Sequence, residues 1–169
     1  MMNCNESVGP LHDEYPLVLG EVSLYARQLV SFLNNDSPLI AQLGSNGAIK
    51  LSEREFLATA QKWRLEKQTD MFAIVLDGDA IGVISLSHQN LIDRTAQIGY
   101  WIGSAYWGKG YTSEAFQLVL TQAKMKGIQC VTSTIRNDNT ASKRIWDKYG
   151  AAVKLNGDRC FYTLAIGAD

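Results

Sequence analysis

Between Met71 and Ile102 the chain passes through three short apolar stretches: Met71 to Leu76, Ala80 to Ser87 and Ala96 to Ile102. Stretches this short, rich in Ile, Val and Phe, have the length and composition of strands rather than helices. Asp77-Gly78-Asp79 joins the first two, and Asp-Gly is a strong tight-turn signal because glycine accepts the positive φ such turns require. A polar loop, His88 to Arg94, precedes the third. This meander commits the middle of the chain to antiparallel sheet.

The flanking segments supply helices. Tyr15 to Val22 alternates in the manner of an edge strand. Leu24 to Asn34 carries Leu24, Leu29, Phe32 and Leu33 near helical spacing, and Asn34-Asn35-Asp36-Ser37-Pro38 is expected to stop that helix. Ser52-Glu53-Arg54-Glu55 fits a capping box, so a helix is predicted from Glu53 to about Lys67, with Phe56, Ala60 and Trp63 on one side. After the meander, Gly103 to Tyr106 leads into Trp107-Gly108-Lys109-Gly110-Tyr111-Thr112. A helix then runs to about Lys126 with Ala115, Val119 and Ala123 on one stripe, and Gly127 fits its C-terminal cap. Cys130 to Ile135 is β-rich. Asn139 is the expected N-cap of a helix from Thr140 to Tyr149. Ala151 to Leu155, the turn Asn156-Gly157 and Arg159 to Ile166 form a closing hairpin. The order β α α β β β α β α β β predicts an α/β (α+β) sheet with helices on both faces. Residues 1–169 are read as one domain, with an irregular start over 1–14, where Pro10 falls.

Composition narrows the function classes. The chain has 169 residues, 46% hydrophobic and 20% charged, a balance that suits a packed globular domain and argues against disorder or coiled coil. Its purely apolar runs, such as Phe72 to Leu76, are far too short to span a bilayer, so no membrane partner is expected. The first twenty residues carry Glu6, Asp13 and Glu14 without Lys or Arg, unlike a secretory signal. Cys4, Cys130 and Cys160 are odd in number and lack metal-ligand spacing, which predicts a reducing, cytoplasmic setting and no metal. The net charge of −1 conceals an asymmetry: residues 1–90 sum to −5 and residues 91–169 to +4. The basic second half suits an anionic small molecule, whereas a sequence pI of about 6.1 argues against nucleic acid. The acidic first half points, as a hypothesis, to a cationic acceptor.

Gly108-Lys109-Gly110 is the segment with chemistry. It follows a strand and precedes an amphipathic helix. Glycines let a backbone approach a ligand without an intervening Cβ. The free amides and dipole of the following helix favour an anion such as a phosphate, and Lys109 adds charge. A plain strand-to-helix turn is the commoner explanation of a lone G-x-G. The segment is neither a Walker loop nor a dinucleotide fingerprint.

The wider stretch from Ile98 through Gly103, Trp107-Gly108-Lys109-Gly110-Tyr111-Thr112 and on to Ala115 resembles the acetyl-CoA loop of the GCN5-related N-acetyltransferases, the GNAT superfamily. In that family's pattern, [Q/R]-x-x-G-x-[G/A], Gly110 matches the central glycine, while Trp107 and Thr112 depart from the outer positions. The Tyr-Trp-Gly-Lys-Gly-Tyr form is similar to the ribosomal-protein N-terminal acetyltransferase (RimJ/RimL-like) branch. Asn139-Thr140-Ala141-Ser142, followed by Ile145, Lys148 and Gly150, resembles that family's N-x-x-S and K-x-G ending. The resemblance covers about residues 17–166. It implies a mixed, mainly antiparallel sheet that splays between its fourth and fifth strands, Ala96–Ile102 and Cys130–Ile135, and acetyl-CoA as co-substrate. The pantetheine arm would lie in the splay against backbone groups near Trp101 and Ile102. The pyrophosphate would rest on amides from Gly108 to Thr112, a span that includes Lys109, Gly110 and Tyr111. Asn139 and Ser142 would hold the arm, and Arg144 or Lys143 the adenosine-ribose phosphate. The acceptor would be a primary amine, of a small molecule or a protein N-terminus, and a homodimer is plausible from the family.

Catalysis is less plainly written. Acetyl transfer needs a neutral amine, donors for the developing oxyanion and an acid for the departing thiolate. Members of the branch often carry a carboxylate where this chain has Gln97, and many have Tyr where it has Trp146. Neither residue ionises usefully: Gln97 is left to orient water or acceptor, and Trp146 to pack the core. Ser142 and Tyr100 are candidates to protonate the thiolate, though aromatic core is the favoured role for Tyr100. Glu114 suits the first turn of its helix. His88 is expected at the surface, His12 has no visible partner, and Asp36 is explained as well by turn chemistry as by an acceptor pocket. Direct attack with proton loss to water needs no essential base. The missing carboxylate also leaves room for a non-catalytic acyl-CoA-binding regulatory module.

Overall fold

A computed structural model describes residues 16–48 and 50–167. His12, Cys4 and the predicted irregular start over 1–14 lie outside them. The elements, in chain order, are β1 (Val18–Glu21), α1 (Val22–Asn35), α2 (Ser37–Gln42), α3 (Glu53–Glu66), β2 (Asp70–Leu76), β3 (Asp79–Asn90), β4 (Thr95–Ile102), α4 (Tyr111–Met125), β5 (Cys130–Arg136), α5 (Thr140–Lys148), β6 (Ala152–Asn156) and β7 (Arg159–Ala165). A short 3-10 turn, Ser104–Tyr106, links β4 to the glycine loop.

The strands form one seven-stranded sheet in the order β1-β2-β3-β4-β5-β7-β6. All neighbours are antiparallel except β4 and β5, which run parallel. That one parallel contact follows from the chain path: β4 is joined to β5 by α4, and a crossover helix returns the chain in the same direction. The pairing covers only Thr95↔Cys130, Ala96↔Val131 and Gln97↔Thr132. Beyond Gln97 the two strands part, so the sheet is splayed where the family resemblance implied.

Helices cover both faces, and two apolar clusters record this. On one face Ala115, Phe116, Val119 and Ala123 of α4 and Ile145 and Trp146 of α5 pack against Ile84, Ile98, Val131 and Tyr162. On the other, Ala26, Leu29 and Val30 of α1 and Phe56 of α3 cover Ala73, Val75 and Val83 of β2 and β3. The stripe predicted for α4 is thus the stripe that is buried, at about 25 cal/mol per Å² of apolar surface removed from water. The capping box of α3 is complete: Ser52 Oγ accepts the Glu55 N–H at 3.1 Å and Glu55 accepts the Ser52 N–H at 2.8 Å.

Two expectations need correction. The polar run Asn34–Pro38 does stop α1, but Asp36 immediately caps a further helix, α2, its Oδ1 accepting the Leu39 N–H at 3.3 Å with Pro38 in the first turn. The loop expected over His88–Arg94 is partly strand: β3 runs on to Asn90, with His88 at a φ of 50° and a register shift between Ser87 and Asn90.

Candidate active site

The loop after β4 and the start of α5 face each other across the splay. Between them lies a cleft of ≈ 450 Å³ whose walls include Tyr100, Trp101, Gly108, Gly110, Asn139 and Ser142, together with Ile102, Tyr111, Thr112 and Arg144. Nearly all the residues singled out in the sequence for coenzyme binding therefore share one concavity. Lys109 does not line it; its side chain is exposed on the loop beside it. Lys143 is also turned away, its Nζ donating to the Asn137 carbonyl at 3.1 Å, which leaves Arg144 and Lys148 as the α5 cations at the cleft.

The floor of the cleft is built for an anion. Helices α2, α3 and α5 are capped by Asp36, Ser52 and Asn139, but α4 begins at Gly110 with no side chain closing its end. Its first intrahelical bond runs from Glu114 N–H to the Gly110 carbonyl at 3.2 Å. The amides of Tyr111, Thr112 and Ser113 therefore have no intrahelical acceptor. Gly108 and Gly110 stand at φ of 72° and 83°, and a Cβ at either would meet nothing within 4 Å. The glycines are needed for backbone conformation, and they leave open space over free N–H groups at the positive end of a helix dipole. A diphosphate fits this donor set.

The side wall is the parted edge of β4. Gly103 N–H donates to the Ile81 carbonyl at 2.8 Å. By alternation along an antiparallel ladder, the main chain of Trp101 and Gly99 then pairs with Val83 and Ser85 of β3. The N–H and C=O groups of Tyr100 and Ile102 point into the gap instead. The Ile102 carbonyl is already engaged by the Trp107 indole N–H at 2.9 Å. On the opposite wall Asn139 uses its Oδ1 to accept the Ser142 N–H at 3.2 Å, which fixes the start of α5 and leaves its NH₂ group to donate elsewhere.

At the inner end the Tyr100 hydroxyl and Ser142 Oγ lie 2.5 Å apart, joining β4 to α5 across the splay. Ser142 is buried, and burial pushes the Tyr100 hydroxyl above its ordinary value against the opposing pull of Ser142 and Trp146. Both groups therefore hold their protons at neutral pH. The Trp146 indole is fully buried against Phe116 and Tyr162, the core position expected. Its N–H is close enough to favour ionised Tyr100 but makes no hydrogen bond of good geometry.

Other candidates fall outside the cleft. Gln97 is exposed on the opposite face of β4 from Ile98 and Tyr100, in register with Thr132. Glu114 is exposed in the first turn of α4, and His88 is exposed on β3, its Nδ1 3.1 Å from Ser87 Oγ. Asp36 is a support rather than a lining residue: it accepts the Ser104 N–H at 2.7 Å and the Ser104 hydroxyl at 2.6 Å, tying the α1–α2 corner to the turn that leads into the glycine loop. Sequence reasoning missed Gln42, Tyr106 and Ala141, which also line the cleft. Gln42 comes from α2, whose signal was Asp36-Ser37-Pro38, an N-cap followed by proline in the first turn.

The acetyltransferase (GNAT) domain family model matches residues 26–152. The ribosomal-protein-serine acetyltransferase of Escherichia coli (strain K12) is 32% identical over 76 residues, which is 44% of this chain and 42% of that protein. The matched segment thus spans less than half the length of that curated relative. Among solved structures, the RimL ribosomal L7/L12 alpha-N-protein acetyltransferase in complex with coenzyme A superposes with a TM-score of 0.76 at 24% identity, covering 95% of this chain and 98% of that one. The spermidine N-acetyltransferase from Vibrio cholerae, in complex with coenzyme A and spermine, gives 0.71 at 16% identity over 89% and 95%. These two likenesses establish the fold.

Proposed function

The chain belongs to the acetyltransferase (GNAT) domain family, and from that premise we propose that it transfers an acetyl group from acetyl-CoA to the primary amine of an acceptor, a small molecule or a protein N-terminus. The observation that carries this reading is the uncapped start of α4 at Gly110, facing the capped start of α5 across parted strands. The Tyr111–Ser113 amides hold the diphosphate, with Gly108 and Gly110 giving it access. The free groups of Tyr100 and Ile102 and the Asn139 NH₂ hold the pantetheine arm as a neighbouring strand would. Arg144 meets the adenosine-ribose phosphate.

The reaction is direct attack. The neutral amine nitrogen bonds to the thioester carbonyl carbon, the carbon–sulfur bond breaks, the thiolate takes a proton from the Ser142–Tyr100 pair, and water takes the proton lost by nitrogen. Tyr100 re-protonates Ser142 through their short contact, and solvent water, having taken the proton lost by nitrogen, returns one to Tyr100. Gln97 lies outside the cleft, on the opposite face of β4 from this pair, so its amide can orient only an acceptor that approaches from that face.

The same features bear on a second reading, a non-catalytic acyl-CoA-binding module, favoured by the absence of a carboxylate at Gln97. One experiment separates them. Calorimetry with acetyl-CoA is expected to give binding, and thiol release over a panel of amines and peptides is expected for at least one acceptor. Binding without release from any acceptor supports the regulatory module. No binding at millimolar acetyl-CoA overturns both.

A further inference from the structure

Resting on the acetyltransferase reading, we infer that the acceptor is a polypeptide N-terminus followed within a few residues by acidic side chains, held by a cationic strip on the uncovered face of the sheet. Helices α1 and α3 shield one face only over β1–β3. On that same face β5, β7 and β6 present their outward side chains, among the described residues, to solvent: Thr134, Arg136, Arg159, Phe161 and Lys154 are all exposed.

The register places these side chains in rows. Gln97, Thr132, Thr163 and Ala152 form the first row, at the point where β4 and β5 part. Thr134, Phe161 and Lys154 form the second, and Arg136, Arg159 and Asn156 the third. Arg136 and Arg159 thus stand directly opposite each other across an antiparallel pair, where like charges destabilise the sheet. Arg136 is compensated by an exposed ion pair with Asp138 at 2.6 Å. Arg159 and Lys154 make no ion pair among the described residues, and they flank a shallow hollow of ≈ 520 Å³ floored by Phe161 and Thr134. Uncompensated like charges around an apolar floor suit a partner that brings carboxylates.

The alternative of a cationic acceptor, drawn from the acidic first half, is set aside, since several of that half's carboxylates are engaged elsewhere. Asp36 is committed to Ser104, Asp70 to Lys126, and Asp77 and Asp79 sit in and beside the β2–β3 turn. A polyamine arriving here would meet charge of its own sign.

Distance sets which positions matter. Arg136 lies four residues beyond Thr132 along β5, about 13 Å at strand rise. An extended peptide covers that span in about four residues. An acceptor whose α-amine reaches the first row therefore presents its third to fifth side chains to Lys154, Arg159 and Arg136.

The test is steady-state thiol release with octapeptides of free N-terminus that carry Glu, Gln or Lys at positions three to five, and with spermidine. The Glu peptide is expected to exceed the Lys peptide about tenfold in kcat/KM, mostly through KM, and the advantage is expected to shrink with added salt. Lys154→Gln with Arg159→Gln is expected to erase the ratio, and Arg159→Glu to shift it toward the Lys peptide; unchanged acetyl-CoA affinity reports that each variant is folded. Preference for spermidine or the Lys peptide, or an acidic preference that survives in both variants, overturns this inference alone. Release from no acceptor overturns the acetyltransferase reading and this inference with it.

Discussion

Helix α4 has a left-handed glycine at each end, which makes a matched experiment possible. Gly110 stands at φ 83° at its N-cap and Gly127 at φ 81° just past its C-cap, Lys126, and a Cβ on either would touch nothing within 4 Å. Replacing either by alanine therefore adds no clash. Each substitution costs only the left-handed strain of an L-residue, about 1–2 kcal/mol, offset by about 0.4–1 kcal/mol from the stiffer unfolded chain. A net loss near 1 kcal/mol lowers Tm by roughly 2–4 °C in a domain of this size. The two variants should melt together. They should bind differently, because only Gly110 borders the cleft and only there would a methyl group enter the space over the Tyr111–Ser113 amides. Weakening one hydrogen bond to a charged acceptor is worth about 1.5–3 kcal/mol, so Gly110→Ala should lose ten- to hundredfold in acetyl-CoA affinity by calorimetry. Gly127→Ala should stay within twofold, and Gly110→Asp should abolish binding by adding charge repulsion. Equal affinity in both alanine variants would refute the assignment of the diphosphate to this helix start.

Further outcomes are expected at the two contacts that join distant parts of the chain. Ser142→Ala is expected to lower kcat about 10²-fold with little change in KM for acetyl-CoA, and Tyr100→Phe to do likewise; since burial raises the Tyr100 hydroxyl above its ordinary value, its proton should cause no fall in rate between neutral pH and about pH 10. A wild-type kcat in either variant would remove the pair from the proton path. Burial acts to raise the Asp36 carboxyl, but hydrogen bonds from Ser104 and Leu39 outweigh it and hold the group below the usual carboxylate range. Its contribution is therefore complete above about pH 4 and is lost as pH falls through that lowered value. Asp36→Ala should cost about 1–3 kcal/mol in urea unfolding at pH 7, with the gap to wild type narrowing in acid; a gap independent of pH would show that the carboxylate charge is not what binds Ser104.

What could be read from the chain was local. Ser52 and Glu55 announce their capping box because both partners lie within one turn. The Ala115–Val119–Ala123 stripe announces its buried face by period alone. The succession of strands along the chain and the glycine loop were legible for the same reason, though not the order in which the strands lie in the sheet. Helix α2 was hidden because Asn34–Pro38 is at once the end of one helix and the cap of the next, and the stop signal masks the start. The extension of β3 to Asn90 was hidden because polar residues on an exposed strand end resemble a loop. The splay was implied only by family resemblance, since spacing says nothing about where two strands stop pairing. Contacts across long separations were beyond reach: Tyr100 with Ser142 and Asp36 with Ser104 are 42 and 68 residues apart. The facing arginines at 136 and 159 likewise needed the strand register before they could be seen as neighbours.

The three residue pairs between β4 and β5 have a mechanical corollary. Among the described residues they are, with the Gln129 and Cys130 amides that donate to the Arg94 carbonyl, the main-chain link between a four-strand leaf, β1 to β4, and a three-strand leaf, β5 to β6. Beyond that short hinge the leaves are clasped by side chains alone, chiefly those of α4 and α5 beneath them. Amide deuteration should therefore enter along this seam before it reaches either leaf. Any molecule that bridges the seam with its own amides would rivet the two leaves together, so occupancy and rigidity should rise together.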